Sequence, residues 1–287
     1  MTLLLPLVLV VVVAHSASRF VPRLEPKHGV WCSGALLIAG ALGAIPVLIH
    51  VTVSLVVSIP RIGPRVHDAL HGSGLHVVER VEIGLVMTTM LGYAIVRLAK
   101  LLLSRRRLTR HEPGGVLTTP DREVYAFATP GGQPTIVISQ GLHELVNDTE
   151  LGIVLAHERA HVEGRHDRWL LLGEVCSAIN PLVVGVQSRL RFALERVADE
   201  RAAEFVADRT LVARTVAKVA VGHSPLGARL AVATLGVHGR VTALLSNSTH
   251  TTSWMTFALA PLVVIASSLS LLQWAVVVDD ILSVCGL

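Results

Sequence analysis

The chain has 287 residues, of which 52% are hydrophobic and only 16% charged, and its mean hydropathy is +0.60. That balance excludes a disordered chain and an ordinary soluble domain, and it points to a membrane protein. The net charge of +4 is modest and the basic residues gather in loops, so they read as topology signals and no direct nucleic-acid partner is expected. Cys32, Cys176 and Cys285 are far apart, odd in number and without CxxC spacing, so they imply neither a disulfide framework nor a thiolate metal site.

Apolar stretches cover roughly residues 2–17, 30–59, 83–103 and 254–278. A membrane crossing needs about 20 apolar residues, which the last three supply. The first is short and reads either as an uncleaved span or as a signal peptide with Ala17 near a small-residue cleavage site. No basic residue precedes it, whereas Arg19, Arg23 and Lys27 follow it, which favours an uncleaved span with its N-terminus outside. The strongest basic run, Lys100, Arg105, Arg106, Arg107 and Arg110, follows the third stretch and belongs in the cytoplasm. The second loop, with Arg61, Arg65 and Arg80, matches the first in basic count, so that run decides the orientation. Both termini then lie outside. The expected organisation is three transmembrane helices over 1–103, a cytosolic domain over 104–252, and a fourth helix with a short outer tail over 253–287. His67, Asp68, His71 and His76 fall in the second loop and read first as solvated polar residues, second as a divalent-metal or pH-responsive cluster.

The intervening segment opens with turn chemistry at Glu112-Pro113-Gly114-Gly115. Residues 124–128 and 135–138 read as the strands of a hairpin turned by Thr129-Pro130-Gly131-Gly132. Asn147 or Asp148 can cap the next helix, whose apolar stripe is Leu151, Val154, Leu155 and Val162. That helix carries His157-Glu158-Arg159-Ala160-His161, an HExxH motif. Imidazoles at i and i+4 share a helix face and can reach one tetrahedral Zn²⁺, with Glu158 beside them as a general base for the attacking water.

A catalytic zinc site needs a third protein ligand. The best candidate lies in the stretch 192–204, where Glu195 and Asp199 are also i and i+4. Glu195 can ligate the metal while Asp199 accepts the outer N–H of a ligating His. By spacing alone, Glu195 reads equally as part of a solvated acidic face. His223 is a candidate oxyanion donor, with a surface His as the alternative reading and Tyr125 as a second candidate. Ala126, Phe127 and Ala128 are a candidate strand edge for a peptide substrate, with Phe127 alternatively in the core. Cys176 reads as inert core and the stretch 227–245 as a packing helix.

The run Ala126-Phe127-Ala128-Thr129-Pro130-Gly131-Gly132, then Ile138, Gly141-Leu142, Glu150-Leu151, Val154-Leu155-Ala156-His157-Glu158 and Glu195 to Asp199, resembles the HtpX-like and prenyl-protein zinc endopeptidases over about 122–208. Three spans, a cytosolic zinc domain and a fourth span resemble the BlaR/MecR-type antirepressor peptidases still more, as does Asn180-Pro181. The resemblance implies Glu195 as third ligand and Asp199 as its orienting partner. That group carries a penicillin-binding sensor domain after the fourth span. This chain reaches Leu287 without one, so no beta-lactam sensing by acylation is expected.

The fold class expected is therefore a mainly α membrane protein, four transmembrane helices with an inserted α+β HExxH zinc-peptidase domain of gluzincin-like type. The function expected is a zinc-dependent endopeptidase with one Zn²⁺ per chain. Its partners would be the lipid bilayer and a protein substrate, either a DNA-binding repressor or the chain itself. The alternatives are an HtpX-like quality-control protease and a non-catalytic zinc-binding membrane scaffold.

Overall fold

Asn147 starts the helix that carries the HExxH motif. Its side chain accepts from the Glu150 amide at 2.9 Å, and the Glu150 carboxylate accepts from the Asn147 amide at 3.0 Å. This reciprocal capping box satisfies two amides that the helix itself leaves unpaired. In the computed structural model, which describes residues 4–57, 81–108, 114–129, 134–222 and 230–246 with Ser268 and Leu272, the mainly helical chain is built around this element.

The helices are α1 (Leu4–Ser18), α2 (Pro26–Val57), α3 (Val81–Leu108), α4 (Gln140–Leu145), α5 (Asp148–Glu163), α6 (His166–Ile179), α7 (Val184–Val206), α8 (Arg209–Gly222) and α9 (Leu230–Leu245). The strands are β1 (Gly115–Thr119), β2 (Ala126–Ala128) and β3 (Thr135–Ser139), in the order β1-β3-β2. β2 and β3 pair antiparallel with Ala126 opposite Ile138 and Ala128 opposite Ile136, so the hairpin read from the sequence is present. Its turn residues 130–133 lie outside the described residues.

β1 was not legible in the sequence. It begins at Gly115, the last residue of the expected turn, and pairs parallel with β3. All five residues of β3 are buried, whereas β1 is exposed along most of its length. A short half-wet strand carries no alternating apolar pattern for periodicity to detect. Ile136 and Ile138 of the central strand pack with Leu142 and Val154, which seats the sheet on the motif helix.

The N-terminal helices pack on the rest of the chain. Val30, Leu36, Leu37 and Ala41 of α2 share a buried core with Cys176, Val186, Leu190 and Leu194 of α6 and α7. Close approach depends on glycine: a Cβ on Gly34 would lie 2.6 Å from Trp169 Cζ3, and one on Gly40 would lie 2.5 Å from Val183 Cγ1. Polar groups add to the contact. Asn180 Nδ2 donates to the Gly40 carbonyl at 2.9 Å, and Arg196 Nη1 donates to the carbonyls of Pro22 and Leu24. Cys32 and Cys176 are buried free thiols, as an inert core position requires.

Four spans were expected; among the described residues one helical segment, Pro26–Ile45, is long and apolar enough to cross a membrane. Helix α1 has 15 residues, short of the roughly 20 needed. The third expected span falls within α3. The fourth lies outside the described residues apart from Ser268 and Leu272, and His67, Asp68, His71 and His76 of the second loop lie outside them as well.

Candidate metal centre

Helices α5 and α7 bring the site together. Each turn advances about 3.6 residues, so His157 and His161 project from consecutive turns of α5 and Glu195 and Asp199 from consecutive turns of α7. His157 Nε2 and His161 Nε2 lie 3.1 Å apart. Glu195 Oε2 is 3.5 Å from His157 Nε2, and Glu195 Oε1 is 3.7 Å from His161 Nε2. Among the described residues, these three form the one His/Cys/Asp/Glu group able to hold a metal, with ligand atoms within 4.8 Å of one another.

The donor set fits Zn²⁺. Bonds of about 2.0–2.1 Å in a tetrahedral arrangement place donor atoms about 3.4 Å apart, close to the three separations found here. The outer nitrogen of His157 is also engaged correctly: Nδ1 lies 3.1 Å from Asp199 Oδ1. A proton held there leaves the Nε2 lone pair for a metal. The aspartate is almost fully buried, at 1% exposure.

Arg240 of α9 completes the charge arrangement, and the sequence reading missed it. Its Nε and Nη2 donate to both oxygens of Asp199, at 2.8 and 2.6 Å. Its Nη1 reaches Glu195 Oε2 at 2.9 Å. Burial pushes both carboxylates up, but the facing His157 and Arg240 outweigh it and hold them below their ordinary values. Burial likewise opposes a charged His157, yet hydrogen bonds to Asp199 and Glu195 raise it to about 10. His161 has no such carboxylate behind it, and burial lowers it to about 4. Its Nδ1 instead meets His166 Nδ1 at 2.8 Å.

Glu158 lies beside the three candidate donors. Burial raises its pKa, while the Ala128 amide donates to its carboxylate and partly counters that rise. The amide comes from β2, so the candidate base and the candidate substrate strand are joined. Thr129 donates to Thr135 and Ser139 to Tyr125 across the hairpin. Alternation then turns the backbone groups of Ala126 and Ala128 away from β3, toward the open edge. Phe127 is half-exposed at that edge and packs against Tyr125, not in the core.

A cleft of about 990 Å³ runs between this edge and the motif helix, with Ile153, Val212, Val216, Val219 and Val237 on its apolar wall. Tyr125 also lines it, but its hydroxyl is held by Asp121 and by Thr119. His223 lies outside the described residues.

Residues 106–188 match the family model of peptidase family M48. The match supports a metallopeptidase function and spans the hairpin and the HExxH helix. It stops before Glu195, which joins the candidate site by geometry alone. No curated protein matches the chain.

Proposed function

We propose that this chain is an integral-membrane zinc endopeptidase that cuts peptide bonds at the cytosolic face, with one Zn²⁺ held by His157, His161 and Glu195. The observation that carries the reading is the convergence of these three donors beside Glu158, inside a cleft bordered by an open strand edge. A structural metal site needs no general base and no cleft, so the scaffold alternative leaves both features without a role.

Zn²⁺ bound there would supply a Lewis acid that acidifies water and polarises the scissile carbonyl. The chain's own residues do the rest. An extended peptide adds to the β2 edge through the outward amide and carbonyl of Ala126 and the carbonyl of Ala128, which orients the scissile bond over α5. The apolar wall takes a neighbouring substrate side chain and excludes water. The Glu158 carboxylate accepts a proton from the attacking water and returns it to the leaving amine. Its raised pKa suits a group that must both take and give a proton. Asp199 holds the His157 ring in one tautomer, and Arg240 keeps Asp199 ionised.

Membrane attachment is supported by the apolar composition and by the segment Pro26–Ile45. The cytosolic placement of the site is supported by the run Arg105-Arg106-Arg107. Resemblance to the antirepressor peptidases makes a DNA-binding repressor, or the chain itself, the leading substrate. Comparing the proteomes of cells expressing wild type and Glu158→Gln tests this. Loss of one regulator only with wild type is the expected result. Many altered membrane-protein fragments would instead indicate quality control.

A further inference from the structure

We infer that His166 is a positioning residue that sets the tautomer and orientation of His161, an inference that rests on the metal-site reading above. The Nδ1 atoms of the two rings are 2.8 Å apart. The ring planes are nearly perpendicular, at 88°, with centroids 4.7 Å apart. A neutral imidazole that offers its Nε2 lone pair to a metal carries its proton on Nδ1. For His161 that N–H points at His166 Nδ1, which must then present a lone pair and carry its own proton on Nε2. The reverse arrangement, with His166 donating, would put the His161 proton on Nε2 and spoil the donor set.

The backbone is shaped to make this contact. On an uninterrupted helix, residue 166 would sit about 140° around the axis from residue 161 and could not reach it. Helix α5 ends at Glu163, and Arg165 adopts a left-handed conformation, φ 49° and ψ 44°, just before α6 starts at His166. The break folds the His166 ring back against His161. Gly164 leaves the space: a Cβ there would lie 2.5 Å from His166 Nε2 and 2.6 Å from its Cδ2. The ring is buried, at 4% exposure, so it is not a solvated histidine that happens to lie nearby.

His166 is not a fourth ligand, because it meets the side of His161 opposite the converging Nε2 atoms. It does for His161 what Asp199 does for His157. The two differ in charge. A neutral imidazole orients the ring without adding a negative charge to a site that already holds Glu158, Glu195 and Asp199.

The test is zinc affinity of the purified full chain, by chelator competition, together with the visible absorption of the Co²⁺-loaded protein. His166→Ala should weaken zinc binding about 10- to 100-fold and alter the Co²⁺ spectrum. His166→Asn, whose Oδ1 can accept the same N–H, should recover most of the affinity. Gly164→Ala, which changes no polar group, should weaken binding by displacing the ring. Should the alanine variant fail to fold, the asparagine and Gly164 variants carry the test. The inference is overturned if His166→Ala binds zinc like wild type, or if asparagine is no better than alanine. Wild type that binds no zinc would sink the metal-site reading and this inference together. Wild type and His166→Ala that bind zinc equally would sink this inference alone.

Discussion

Arg240 grips Asp199 through two parallel hydrogen bonds, at 2.8 and 2.6 Å, and Asp199 in turn faces His157 Nδ1 at 3.1 Å. A charge on α9 is thereby linked through one carboxylate to a candidate metal ligand on α5. The bidentate fork holds the carboxylate plane, as a single lysine ammonium would not.

Removing Arg240 strips a nearly fully buried carboxylate of its bidentate partner and leaves it His157 alone. Arg240→Met should therefore destabilise the fold by about 3–5 kcal/mol, the usual cost of breaking a buried ion pair by deleting one partner. It should also weaken zinc binding, because Asp199 no longer has a fixed orientation. Chemical unfolding and chelator competition on the same preparations check both. Arg240→Lys should restore part of the stability and less of the zinc affinity.

Glu150 sets an acid limit to stability. Its carboxylate accepts from Lys218 Nζ at 2.5 Å and from the Asn147 amide, and these bonds lower its pKa from the ordinary 4.5. A carboxylate depressed in the folded state stabilises the fold above its unfolded pKa, and that contribution disappears as pH falls through the folded value. Glu150→Gln should melt below wild type at pH 7, and the gap should close as the pH drops below 4.5. A gap that stays constant across the series would show that the charge on Glu150 contributes nothing. Thermal unfolding at stepped pH reads it directly.

The motif helix and the candidate donors that the structure brings together were legible because their geometry is local. Spacing of four places His157 with His161, and Glu195 with Asp199, whatever the tertiary fold. Arg240 was not legible, since α9 reads as an apolar packing helix and nothing local says where its arginine points. His166 was hidden by a helix break: its value comes from the left-handed Arg165, and spacing rules assume a continuous helix. Pro26–Ile45 shows a further limit. Hydropathy reports that a helix must hide its side chains, not whether lipid or Leu190 and Leu194 hide them. The β2–β3 hairpin was readable because its central strand is uniformly apolar, while the wet strand β1 left no pattern.

The substrate edge can be tested without touching the metal. Ala126 turns its amide toward the open edge of β2, where proline is compatible with a strand. Ala126→Pro should keep the fold and zinc affinity while lowering kcat/KM about tenfold, chiefly through KM. An unchanged KM would mean that peptides do not dock along β2. Steady-state kinetics on any cleaved peptide, with zinc content measured alongside, decides it.

Glu158 is the group on which cleavage depends; it sits beside the converging His157, His161 and Glu195 and accepts the Ala128 amide. The most direct measurement is the release of new amino termini from an unfolded polypeptide by the purified, zinc-loaded chain, compared with Glu158→Gln. Wild type should cleave, and the variant should lose at least about 10²-fold in rate while keeping its zinc. Equal cleavage by both proteins would contradict the mechanism.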